Sequence, residues 1–189
     1  MKYKAVIIGG SAGSFQIVLK IISNLPKDFY LPVFLSLHRL KHIRSGFVEA
    51  LLTKSKLPIK EPFDKEMIKP GIIYLAPANY HMYIELGNRI ALSTEPPVNH
   101  SRPSIDLSFF SAANVYREKL IGIILSGANR DGALGLKEVK KYNGTTIVQD
   151  PLESQINTMP NAAIEKTKVD YIYKTPEIIK FLNNLNQNI

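Results

Sequence analysis

The 189-residue sequence contains no cysteine, which excludes disulfides, thiol catalysis and thiolate metal sites. It has no apolar run near the ~20 residues that a membrane span requires, so membrane insertion is not expected. The opening MKYKAVIIGG has an apolar stretch too short for a signal peptide, and no small-residue cleavage site follows. A cytoplasmic location is the expectation. No repeat, low-complexity segment or linker interrupts the chain, and its length suits a single domain spanning residues 1–189.

Negative charge is scarce at the start. Residues 1–60 hold 10 Lys/Arg against 2 Asp/Glu, whereas residues 61–189 hold 14 against 14. The net charge of +8 therefore sits in the first third, densest from Arg39 to Lys60. Such a segment is either a solvated basic face or an attraction for an acidic partner. Nucleic acid is not the expected partner, because RLKHIRSGFVEALLTKSKLPIK carries Phe47 as its one aromatic.

Phosphate motifs are missing as well. GGSAGS lacks the G-x-G-x-x-G spacing, no Walker sequence is present, and His38 stands where a ribose-binding acid would follow the second strand. No cofactor is expected. His38 and His42 are four apart, but neither Cys nor paired carboxylates join them, so no metal site is expected either.

What is present is alternation of strand and helix. Apolar runs at 3–8, 32–37, 72–75, 120–126, 145–149 and 169–173 read as strands, with a short one at 58–60. Helical spacing marks 13–24, 44–56, 104–117, 132–141 and 159–167, and Thr175-Pro176-Glu177 opens a last helix. Gly87-Asn88 between two strand-like runs predicts a β-hairpin at 81–93. The fold class is α/β: a doubly wound, mostly parallel sheet with helices on both faces.

In such a sheet the site lies in the loops after the strand ends. Ser11 follows the first strand, His38 the second and Asp131 the 120–126 strand. These are the residue types of a hydroxyl nucleophile, a general base and a base-orienting carboxylate. A serine at a strand-to-helix turn sits beside free N–H groups suited to an oxyanion. Ala12 and a residue of the 127–130 loop are the candidate donors, and glycines at 9, 10 and 13 permit a tight turn. On spacing alone Ser11 reads first as a helix cap and Asp131 as a turn residue, and Asp150 is a rival carboxylate.

The same segments resemble a known family. GGSAGSF resembles the G-x-S-[TA]-G-G signature of the CheB-type chemotaxis-receptor methylesterases. LSLHRL, IIYLAPANYHM, PPVNHSRPSIDLSF, GIILSGANRDGALGL, IVQDPLES and MPNAAIE resemble further family segments in the same order, across about residues 4–173. The resemblance implies a methylesterase catalytic domain with Ser11, His38 and Asp131 as the catalytic residues. It implies hydrolysis of glutamyl methyl esters on chemoreceptor cytoplasmic helices, with deamidation of receptor glutamines as a second activity. The backbone N–H of Ala128 falls at the family's oxyanion position, beside Ala12 and Gly13. Arg102, Asp106 and His81 lie in family-like segments, and Arg102 and His81 are candidates for the substrate channel.

Departures are visible. Ser14 replaces the family's second glycine, Asn129 replaces a glycine, and Leu37 precedes the histidine where Gln is frequent. The first strand begins by residue 3, so no receiver domain is expected ahead of it. Two other readings stand beside the main one: a binding module of the same fold that recognises an acidic partner, and a carboxylesterase outside chemotaxis.

Overall fold

β1 (Ala5–Gly10) is buried over its whole length, and its alternate residues enter two different cores. Val6 and Ile8 face one side, Ala5 and Ile7 the other, as expected of a parallel strand covered on both faces. The computed structural model describes residues 2–38 and 45–185.

Seven parallel strands form the sheet. They are β1, β2 (Val33–Leu37), β3 (Ile59–Lys60), β4 (Ile73–Leu75), β7 (Leu120–Ile124), β8 (Thr145–Gln149) and β9 (Tyr171–Tyr173). Their order is β3-β4-β2-β1-β7-β8-β9. β5 (His81–Glu85) and β6 (Arg89–Ser93) form a separate antiparallel hairpin. Both turn residues, Gly87 and Asn88, have positive φ (85° and 62°), which explains why that pair marks the hairpin in the sequence.

Helices cover both faces. α1 (Phe15–Asn24), α2 (Ser45–Lys54) and α6 (Thr175–Leu185) supply Val18, Ile22, Leu51, Ile178 and Leu182 to one core. α3 (Ile105–Tyr116), α4 (Ala133–Lys141), α5 (Thr158–Lys166) and the hairpin supply Phe109, Leu136, Met159, Met82 and Ile84 to the other. The expected elements are therefore present, with ends shifted by a few residues. The 120–126 run is shorter as a strand because Leu125 and Ser126 already belong to the following loop, although both remain buried.

The strand order places the site. Successive strands step outward from β1 in one direction through β2 and β4, and in the other through β7, β8 and β9. The two crossovers diverge at β1 and β7, and the loops leaving those strand ends separate to open a crevice. Ser11 and Asp131 lie beyond the ends of these two strands, and His38 follows the neighbouring β2.

Candidate active site

Ser11 is held by its backbone. Its N–H donates to the Ser126 carbonyl at 2.9 Å, tying the loop after β1 to the loop after β7. Its carbonyl accepts from the Ser14 N–H at 3.0 Å and from Ser14 Oγ at 2.6 Å. The helix begins at Phe15 with Ser14 at its N-cap, so Ser11 is not the cap. The Ser11 hydroxyl has no hydrogen-bond partner among the described residues, and it borders a cavity of about 610 Å³.

The turn explains both the glycines and the departure at Ser14. Gly13 has φ +81°, and a Cβ there would meet Ser126 Oγ at 2.7 Å and Gln155 Cβ at 2.9 Å. That position requires glycine. Ser14 has φ −83°, which any residue adopts, so a side chain is accommodated. It packs against Gly10, where an added Cβ would come within 2.7 Å of the Ser14 Cβ.

His38 is anchored by its own N–H, which donates to the Gly10 carbonyl at 3.1 Å. Its Nε2 lies 2.8 Å from Asp131 Oδ2. The Asp131 side chain is wholly buried, while His38 retains 12% exposure toward the cavity. Asp131 is fixed from several sides. Its Oδ2 also accepts from the Ile105 N–H at 2.7 Å. Its Oδ1 accepts from the Asp106 N–H at 3.0 Å, Ser104 Oγ at 3.1 Å and the Gly132 N–H at 3.1 Å. The carboxylate thus sits on the N-terminus of α3, where free N–H groups and the helix dipole favour negative charge.

Burial pushes the Asp131 carboxyl upward. The His38 bond and the Asp106 and Ile105 N–H groups outweigh it and hold the group below the usual carboxylate value. Asp131 is therefore an acceptor only, and His38 must present Nε2–H to it. The lone pair of neutral His38 then lies on Nδ1. Nδ1 stands 3.3 Å from Ser101 Oγ.

Asp106, also buried, behaves oppositely. Burial raises its carboxyl to about 6, the N–H of Gly135 opposes the rise, and the charge of nearby Asp131 adds to it.

The other sequence candidates divide. Ala12, Gly13 and Arg102 border the cavity with Ser11 and His38. Arg102 donates through NH1 to the Thr94 carbonyl at 2.6 Å and the Glu95 carbonyl at 2.9 Å, so its guanidinium also braces the loop after β6. Ala128 is exposed on the loop after β7 and is not part of the cavity wall. Its N–H, like that of Ala12, has no backbone acceptor among the described residues.

His81 corrects the expectation that it faces the substrate channel. It is fully buried, Nδ1 accepts from the Ser104 N–H at 3.1 Å, and Nε2 donates to the Pro96 carbonyl at 3.1 Å. Both ring nitrogens are spent on holding the approach to α3. Asp150 closes a turn, with Oδ1 accepting from the Leu152 N–H at 2.9 Å. His42 lies outside the described residues, among which no cluster suited to a metal ion occurs.

Asn129 needs no glycine at its position. Its Oδ1 accepts from the Asp131 N–H at 3.1 Å, so the substituted side chain steadies the aspartate loop. Two contributors escaped the sequence reading, Ser101 and Ser104, and Asp106 is singled out there without a role. Ser104 had a legible signal, since it caps α3 by accepting from the Leu107 N–H. The Phe15–Phe47 pair, 4.5 Å between ring centroids, adds an apolar wall to the cavity.

Residues 6–182 match the CheB methylesterase family. A relative from Leptospira interrogans, provisionally named for protein-glutamate methylesterase and protein-glutamine glutaminase activities, is 43% identical over all of this chain and 97% of its own length. The protein-glutamate methylesterase/protein-glutamine glutaminase of Clostridium acetobutylicum is 34% identical over 97% of this chain, which spans 54% of that protein. The crystal structure of the Thermotoga maritima CheB methylesterase catalytic domain superposes with a TM-score of 0.92 at 33% identity, covering 98% of this chain and 100% of that one. The chain belongs to the CheB methylesterase family.

Proposed function

We propose that this chain is a serine hydrolase that removes methyl groups from glutamate γ-esters on chemoreceptor helices and deamidates glutamine at equivalent positions. The observation that carries it is the His38–Asp131 bond at the cavity that Ser11 borders. Ser11 is the nucleophile in this reading. His38 Nδ1 takes its proton as Oγ attacks the ester carbonyl, and Asp131 steadies the imidazolium through Nε2–H. The N–H of Ala12, at the cavity wall, is the donor for the oxyanion. The tetrahedral carbon then expels methoxide, which leaves as methanol with the proton from His38. Water attacks the acyl-enzyme by the same route, releasing the glutamate carboxylate and restoring Ser11. With glutamine as substrate, ammonia leaves in place of methanol.

No helix among the described residues is long and apolar enough to cross a membrane. We place the reaction in the cytoplasm, where the Glu-rich methylation helices of chemoreceptors would be reached. The basic first third of the sequence suits docking in this reading, and α2 within it borders the cavity through Phe47.

The direct test is Ser11→Ala, assayed on a peptide carrying a glutamate methyl ester. Methanol release should fall to background while the thermal midpoint stays within a degree or two of the parent, since the hydroxyl has no partner to lose among the described residues. Release at the parent rate would show that another group attacks the ester.

A further inference from the structure

Ser101 borders the cavity, and its hydroxyl stands 3.3 Å from His38 Nδ1. With Nε2–H committed to Asp131, Nδ1 carries the one lone pair available for accepting a proton. A lone pair that already accepts from Ser101 is not available to Ser11. We infer that Ser101 competes with Ser11 for the general base, so that it is a positioning residue that holds His38 in a resting arrangement.

This contact does not come from a slack loop. Val98 and Ser101 exchange two backbone hydrogen bonds, 3.1 and 2.9 Å, across Asn99 and His100. Both intervening residues have left-handed φ, 50° and 62°, as in a two-residue type I′ hairpin. Arg102 binds the Thr94 and Glu95 carbonyls, and His81 binds the Pro96 carbonyl. The segment that presents Ser101 is braced within itself and at its base. The sequence offers no periodicity that would reveal this, because the turn uses Asn-His where Asn-Gly is usual.

Release needs no loop movement. Ser101 Oγ lies 3.5 Å from the Asn99 carbonyl, a second acceptor for the same proton. A hydroxyl donates once, so turning toward Asn99 frees His38 Nδ1 for Ser11. The competition is weak, as a long hydroxyl–imidazole bond implies, and it lowers the reactivity of Ser11 without abolishing it.

The inference rests on Ser11 being the nucleophile, and the experiment separates the two. Parent, Ser101→Ala and Ser101→Thr proteins are reacted with a fluorophosphonate, the rate is followed and the labelled residue is mapped by mass spectrometry. Labelling of Ser11 in the parent supports the serine hydrolase reading. Ser101→Ala should then label faster, by about threefold from the loss of one weak hydrogen bond, while Ser101→Thr stays near the parent. Structural damage would slow labelling, so a gain is not produced by misfolding. Unchanged or slower labelling of Ser101→Ala overturns the inference while leaving the nucleophile in place. A threonine variant as fast as the alanine variant overturns it too. Labelling of Ser101 instead of Ser11 in the parent overturns both.

Discussion

Asp131 meets His38 through Nε2, at 2.8 Å, and does so from a position where four other donors also converge on its two oxygens. The same carboxylate that orients the base thus caps α3 and closes the loop after β7. In the proposed mechanism the catalytic and structural roles are joined in this one side chain, and substitution cannot remove one without the other.

Asp131→Asn should therefore show two losses together. An amide offers one oxygen and one NH₂, whereas both positions now accept N–H or O–H donors. One of those donors, or the amide itself, would be left unsatisfied, costing about 1–3 kcal/mol of stability. Orientation of the His38 tautomer would also fail, and kcat should fall roughly 10³–10⁴-fold. Denaturant titration and ester-cleavage kinetics on one preparation would check both. A variant with parent stability and low activity would separate the two roles and refute their joining.

The two buried carboxylates have opposite pH signatures. Asp131 is depressed, so its contribution is present above the unfolded value of 3.8 and is lost as pH falls through its lower folded value. Asp106 is raised to about 6, so its contribution is fully present below 3.8 and is lost as pH rises through about 6. Asp106→Asn keeps an oxygen for the Gly135 N–H, which now donates to Oδ1 at 2.7 Å, and removes the charge that faces Asp131. The variant should gain on the parent between pH 4.5 and 7.5, by on the order of 1–2 kcal/mol. Urea unfolding at the two pH values measures this, and an equal difference at both would show that Asp106 carries no such charge cost.

The sequence made the parallel strands legible because they are buried on both faces and read as continuous apolar runs such as AVII and LIGII. It also made Ser11, His38 and Asp131 legible as neighbours, since Ser11 and His38 follow such runs directly and Asp131 lies in the loop after another. What it hid were contacts set by loops. His81 lies in a family-like segment, yet a buried ring can spend both nitrogens on backbone groups, and only the path of residues 94–104 shows that it does. Ser101 reaches His38 through a type of turn that its Asn-His pair does not announce. Asp106 looks like an ordinary first-turn acid of α3, and nothing local shows that a second carboxylate is buried beside it.

Charge provides the last prediction. The excess of Lys and Arg lies in residues 1–60, and α2, within that stretch, borders the cavity through Phe47. If that surface steers an acidic receptor helix, the attraction operates between exposed charges and is screened by salt, with a Debye length of about 8 Å at 0.15 M and about 3 Å at 1 M. Screening acts on encounter and not on the buried His38–Asp131 pair, so kcat should hold while KM rises. Raising salt from about 0.05 to 0.5 M should increase KM for a methylated, Glu-rich receptor peptide by roughly tenfold. A small neutral ester hydrolysed by the same preparation should show little change, which separates docking from any effect on the catalytic groups. Equal salt dependence for the two substrates would mean that the basic segment is a solvated face with no part in recognition.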